Sequence, residues 1–237
     1  MLVFRVHIYM VMLALYSSVS LAATMFDVHA PLPDSITWVV YKGEAYQQLL
    51  VRANDPQQPQ WGDGRGGRLA KRAQLMPAYR DPLGSTKDVR FHFLVPDDWK
   101  MSLHPVLIAG GHSVNLKAGP WALYIEYNKV QFTISIDNPN GKEPDSIGSV
   151  IAVVNERFPL VIDHLYEFRL VEHVSKDMTG YAKVYLDGKQ VVDYRGPTVS
   201  TMESGLPYEE IGPYVFNHSS KWPFPNEDHK RLLIRIP

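Results

Sequence analysis

Arg72, Gln74, His112, Tyr214 and His218 carry the side chains in this chain best suited to holding an anion and moving protons. Arg72 and Gln74 are two apart, so an extended backbone points both to one face, where their N–H groups can converge on a carboxylate. His112 follows Gly110-Gly111 at the end of a short apolar run from Pro105 to Ala109. An imidazole there exchanges protons near neutral pH. Tyr214 and His218 share a parity if the late segment is extended, and either can give up a proton. Tyr124 and Lys221 are secondary contact candidates, and Trp222, like Trp61, offers a flat face on which a sugar ring can stack. Simpler roles compete with each: a loop histidine at 112, a solvated strand charge at 72, a core aromatic at 214.

Other chemistries fall away. The chain of 237 residues has no Cys, which removes disulfides, thiolate metal sites and a Cys nucleophile. It contains neither H-E-x-x-H nor G-x-S-x-G. The Gly62–Arg68 stretch lacks the Lys-Ser/Thr of a phosphate loop; it reads as a loop with two Arg that could meet an anionic chain. Asp137–Gly141 has the composition of a calcium loop without its alternation. No Glu-x-Asp-x-x-Glu run appears, so hydrolysis by paired carboxylates on one strand is not expected. A formal net charge of −1 argues against a nucleic-acid binder.

The elements that must position these residues read as strands. Val89, Phe91, Phe93 and Val95 alternate with Arg90, His92 and Leu94; Trp121, Leu123 and Ile125 alternate with Ala122, Tyr124 and Glu126; Phe132, Ile134 and Ile136 repeat the pattern. Tyr166–His173 and Tyr181–Leu186 are similar, and Asp187-Gly188 predicts a tight hairpin into Gln190–Tyr194, because both turn residues need positive φ. Ile36–Tyr41 and Arg231–Ile236 add strands, while Glu44–Arg52 is the one candidate for a short helix. Trp99 and Trp121 are expected in the core. About ten strands with turn signals between them imply an all-β, two-sheet antiparallel sandwich or jelly roll.

Residues 1–22 have a secretory layout: Arg5, an apolar run from Val6 to about Tyr16, then small residues around Ala22. The expectation is a signal peptide over 1–22, a single jelly-roll domain over 23–237, and a secreted or periplasmic protein.

Four ordered stretches resemble the concanavalin A-like jelly-roll polysaccharide lyases, in particular the heparin-lyase-type and glucuronan-lyase-type group. Lys71-Arg72-Ala73-Gln74-Leu75 is similar to the group's Arg-x-Glu-Leu strand. Phe91–Trp99 resembles its strand-Pro-acidic-Trp edge, and Leu107–His112 its apolar strand ending in Gln-x-His. Tyr185-Leu186-Asp187-Gly188-Lys189, followed by Gly212-Pro213-Tyr214, looks like its late hairpin and Tyr strand. Gln74 stands at the Glu of the first motif and Gly110 at the Gln of the third. The group's final strand reads Tyr-Phe-Lys-x-Gly-x-Tyr; counted from Tyr214, its Lys falls on Phe216 and its second Tyr on Ser220.

The resemblance implies β-elimination on a uronic-acid-containing glycan. A site must neutralise the uronate carboxylate, remove the C5 proton and protonate the leaving oxygen. It implies Arg72 and Gln74 at the carboxylate, His112 as base or carboxylate partner, and Tyr214 or His218 as acid, with Tyr124, Lys221 and Trp222 contacting substrate. An acidic polysaccharide is the expected partner of a monomer, with neither nucleic acid nor, after cleavage of the signal, a membrane. No cofactor or metal ligand set is expected; a structural calcium is left open. A noncatalytic, lectin-like glycan binder is the alternative, and an adhesion domain without a sugar site a third.

Overall fold

A computed structural model describes residues 26–56, 58, 69–77, 79–99, 105–112, 120–137, 150–201, 203, 206–217 and 229–237. Among them the chain runs β1 (Phe26–His29), a 3-10 turn (Pro33–Ser35), β2 (Ile36–Tyr41), β3 (Glu44–Arg52), β4 (Leu69–Arg72), β5 (Gln74–Pro77), β6 (Thr86–Leu94), β7 (Val106–His112) and β8 (Trp121–Glu126). It continues through β9 (Lys129–Asp137), β10 (Val150–Pro159), β11 (Leu165–His173), β12 (Tyr181–Leu186), β13 (Lys189–Arg195), β14 (Tyr208–Asn217) and β15 (His229–Arg235). The strands form two antiparallel sheets. One has the order β1-β5-β14-β7-β8-β9-β10, with β4 also on β14; the other has the order β13-β12-β11-β6-β15-β3-β2. This is the expected all-β sandwich, with more strands than the ten or so anticipated.

Alternation does the folding work. Val89, Phe91 and Phe93 of β6 are buried while Arg90 is exposed. Trp121 and Leu123 of β8 lie opposite Ile134 and Phe132 of β9, and their inward faces meet Phe168 from the other sheet. Trp99 and Trp121 are core residues, as expected, at 5% and 2% exposure. Asp187 and Gly188 take φ of 52° and 73° and close the β12–β13 hairpin, as the Asp-Gly signal requires.

Two local expectations are corrected. Glu44–Arg52 is not a helix but β3, held between β2 and β15. Its Leu49 and Val51 are buried two apart, a strand period, and this burial overrides the helix propensity of its Glu, Ala, Gln and Leu. His112 is not in a loop: β7 continues through Gly110-Gly111 and ends on it. A Cβ at Gly111 would sit 2.8 Å from the Trp121 indole, so only glycine lets the strand pass that ring.

Strand order matters most for function. β14 lies between β5 and β4 on one side and β7 on the other, so segments near residues 29, 72, 112 and 214 share one sheet.

Candidate active site

The outward face of the eight-stranded sheet is built in cross-strand rows. In the first row Tyr208 of β14 lies directly opposite His112 of β7. Their rings stack with centroids 4.7 Å apart and planes 13° apart. In the next row Glu210 lies opposite Gly110, and Gly110 opposite Ala122. A third row carries Arg72, Tyr214, Leu107, Tyr124 and Gln131 across β4, β14, β7, β8 and β9. There the Arg72 guanidinium lies 4.4 Å from the centroid of the Tyr214 ring. The first and third rows are five residues apart along β7, roughly 16 Å at about 3.3 Å per residue. Between them position 110 has no side chain and position 122 only a methyl; both are buried, and a Cβ at 110 would meet the Leu107 side chain at 3.3 Å.

Arg72 and Gln74 do not share one unbroken strand. The chain steps at Ala73, whose N–H donates to the Pro213 carbonyl, and pairing resumes in β5. Both side chains remain on the site face and are buried. Gln74 Nε2 donates to Glu210 Oε2 at 3.0 Å. That bond spends a donor expected to meet a substrate carboxylate.

This contact also corrects the register of the last motif. Tyr-x-x-x-Gly-x-Tyr is met within β14 by Tyr208, Gly212 and Tyr214. Counting from Tyr214 started one motif too late. In the earlier register Tyr214 takes the second Tyr position and Glu210 the Lys position. The group's Glu and Lys positions, here Gln74 and Glu210, are then the two residues in contact.

Four residues of the site escaped the motif reading: His29, Arg80, Tyr208 and Glu210. His29 of β1 is in register with Gln74. Burial, then the positive charge of Arg72, lower its pKa to about 4, so its imidazole is neutral at pH 7. Arg80, just past β5, lies 3.9 Å from the Tyr208 centroid. Burial pushes the Tyr208 phenol up to about 12, with the nearby Glu210 charge adding to the shift. Burial alone does the same to Tyr124, which keeps its proton at neutral pH. The signal for Tyr208 was the Tyr-x-x-x-Gly-x-Tyr spacing; nothing local marks His29 or Arg80.

A second polar cluster backs the site strand from inside the sandwich. The Lys87 ammonium lies 3.1 Å from carboxylate oxygens of both Asp81 and Glu172 and bonds Glu209, the residue between Tyr208 and Glu210. All four side chains are almost wholly buried. Three carboxyls share one ammonium, so burial raises the Glu209 pKa to about 7.

His218, Lys221, Trp222, Trp61, the 62–68 loop, residues 138–141 and the 1–22 segment lie outside the described residues. Among the described residues no group of three or more His, Asp and Glu is arranged to hold a metal.

A family model described as polysaccharide lyase matches residues 25–228. The chain belongs to the polysaccharide lyase family. No curated protein matches it in sequence. Solved structures share the fold at low identity. The endo-β-1,4-glucuronan lyase from the fungus Trichoderma reesei superposes with a TM-score of 0.62 at 16% identity, over 88% of this chain and 87% of that one. A polysaccharide lyase family 7 alginate lyase gives 0.58 at 10% identity, over 89% and 91%. A variant of such an alginate lyase with one His and one Tyr replaced, in complex with substrate, gives 0.55 at 9% identity, over 84% and 78%. The jelly-roll lyase architecture is therefore the fold of this enzyme.

Proposed function

We propose that this polysaccharide lyase cleaves a uronate-containing glycan by β-elimination on the outer face of the eight-stranded sheet. The observation that carries the reading is that the sheet order brings His112, Arg72 and Tyr214 onto one face, in rows on either side of Gly110 and Ala122. The C5 proton of a uronate is hard to remove while the adjacent carboxylate is anionic, because the carbanion would add a second charge. Arg72 offsets that charge with a fixed guanidinium. His112 takes the C5 proton, and the Tyr214 hydroxyl returns a proton to the glycosidic oxygen as the C4–O bond breaks and the C4–C5 double bond forms. Substrates of the similar structures support the class: one is a glucuronan lyase and another an alginate lyase. That a substrate complex was obtained with one His and one Tyr replaced supports giving such a pair the proton transfers.

The test is to incubate the protein with glucuronan, alginate and heparin-type glycans and follow ultraviolet absorbance of the unsaturated product. Product from one polymer, lost in His112→Ala with the fold intact, is the expected result. Binding without product from any of them would mark a lectin-like protein instead.

A further inference from the structure

We infer that Tyr208 and Arg80 are positioning residues that fix the His112 imidazole by stacking rather than by a hydrogen bond. The kinetic side of this inference rests on the proposed role of His112. Its structural side does not.

β14 has β5 on one flank and β7 on the other. His112 comes from β7 and covers the Tyr208 ring at 4.7 Å, nearly parallel. Arg80 comes from the chain leaving β5, where Asp81 N–H donates to the Pro207 carbonyl at 2.9 Å beside Tyr208. Its guanidinium is 3.9 Å from the same centroid. Arriving from opposite flanks, the two groups take opposite faces, giving a three-layer stack of guanidinium, phenol and imidazole.

The stack has a task because, among the described residues, the usual hold is missing. A histidine that moves protons is ordinarily oriented through its second ring nitrogen, by a carboxylate or a carbonyl. His112 Nδ1 is buried and has no hydrogen-bond partner among the described residues. Being shielded, it leaves Nε2 as the nitrogen that can reach substrate. Among the described residues no neighbour fixes the tautomer, so Nε2 can be the acceptor. What remains to set the plane of the ring is the Tyr208 face, pressed from behind by Arg80. An aromatic face restrains tilt, and a misplacement of about 1 Å at a reacting group costs up to about 100-fold in rate.

The experiment uses the full chain with Tyr208→Phe, Tyr208→Leu and Arg80→Gln. Turnover is measured on the polymer that the wild type cleaves, and His112 ring signals are followed by NMR, assigned by their loss in His112→Ala. Tyr208→Phe keeps the ring and should hold kcat within about 3-fold. Tyr208→Leu should lower kcat by about 10- to 100-fold with little change in KM, and move the His112 ring protons out of their ring-current-shifted positions. Arg80→Gln should lower kcat several-fold and broaden the same signals. Loss in Tyr208→Phe equal to that in Tyr208→Leu would overturn the inference, since the hydroxyl rather than the ring would then matter. A rise confined to KM in Arg80→Gln would make Arg80 a substrate contact instead. His112 shifts unchanged in Tyr208→Leu would show that no stack exists. If the wild type cleaves nothing, the proposed activity fails, and the shifts still decide the stack.

Discussion

Replacing Glu209 by Gln should change how stability depends on pH, by an amount that follows from the buried cluster behind the site. Glu209 faces Lys87 from β6, Asp81 from the segment after β5, Glu172 from β11 and, at longer range, Tyr79. Burial raises its pKa from 4.5 to about 7, with Asp81 adding to the shift and Lys87 opposing it. Between those two values the folded protein holds a proton that the unfolded chain has lost. Stability therefore falls as pH rises through this window, by about 1.4 kcal/mol per unit and about 3 kcal/mol in all. His29 works in the opposite sense. Its pKa is lowered to about 4, so the unfolded chain is the better proton binder between there and 6.5, and stability rises with pH. The two trends offset each other in the wild type below about pH 6.5. In Glu209→Gln only the His29 trend remains, because an amide keeps a Lys87 acceptor without titrating. Urea unfolding of both proteins from pH 4.5 to 8 measures the difference. The variant should gain on the wild type by about 3 kcal/mol across the window, roughly 10 °C in Tm for a domain of this size. Parallel curves for the two proteins would refute the reasoning, because Glu209 would then titrate alike in both states.

Tyr214→Phe should lower kcat by about 10²- to 10⁴-fold on the cleaved polymer with circular dichroism unchanged, the loss of one positioned proton donor. Lys87→Met should cost about 3–5 kcal/mol in urea unfolding at pH 7, since three buried carboxyls lose their cation; the deficit should shrink at pH 5, where Glu209 holds its proton. Gly111→Ala should destabilise by about 1–3 kcal/mol, because its Cβ meets the Trp121 indole at 2.8 Å, and tryptophan emission should report the displaced ring.

Much of the fold was legible from period alone. β6, β8, β9, β11 and β12 alternate apolar and polar residues, and an antiparallel sheet with one wet face preserves that alternation. β3 was not legible, because Glu-Ala-Tyr-Gln-Gln-Leu-Leu-Val-Arg suits a helix locally. Only pairing to β2 and β15, one of them nearly two hundred residues away, selects the strand. The site divides along the same line. Arg72, Gln74, His112 and Tyr214 sit in short motifs and fall on one face. Their supports do not, since β1 delivers His29 and the exit of β5 delivers Arg80, and adjacency in this sheet order leaves no trace in local spacing.

The same topology explains departures that look disabling when motifs are read singly. The group's pattern has Glu at position 74, Gln at 110 and Lys at 210; this chain has Gln, Gly and Glu. Each change alone removes a charge or a polar group that the pattern supplies. The structure joins two of them: Gln74 Nε2 donates to Glu210, so a donor–acceptor pair survives across β5 and β14 with its polarity reversed. The amide at 74 donates to the carboxylate at 210, whereas an acid at both positions would bury two like charges side by side. The exchange at 74 is thus what makes Glu210 tolerable. The pair leaves net negative charge on this face where the pattern's own Glu and Lys would leave none; on the proposed reading the substrate carboxylate is therefore met by Arg72. Gly110 is the complementary change: the strand opposite Glu210 carries no side chain there, and Leu107 packs over the position instead, 3.3 Å from where a Cβ would stand.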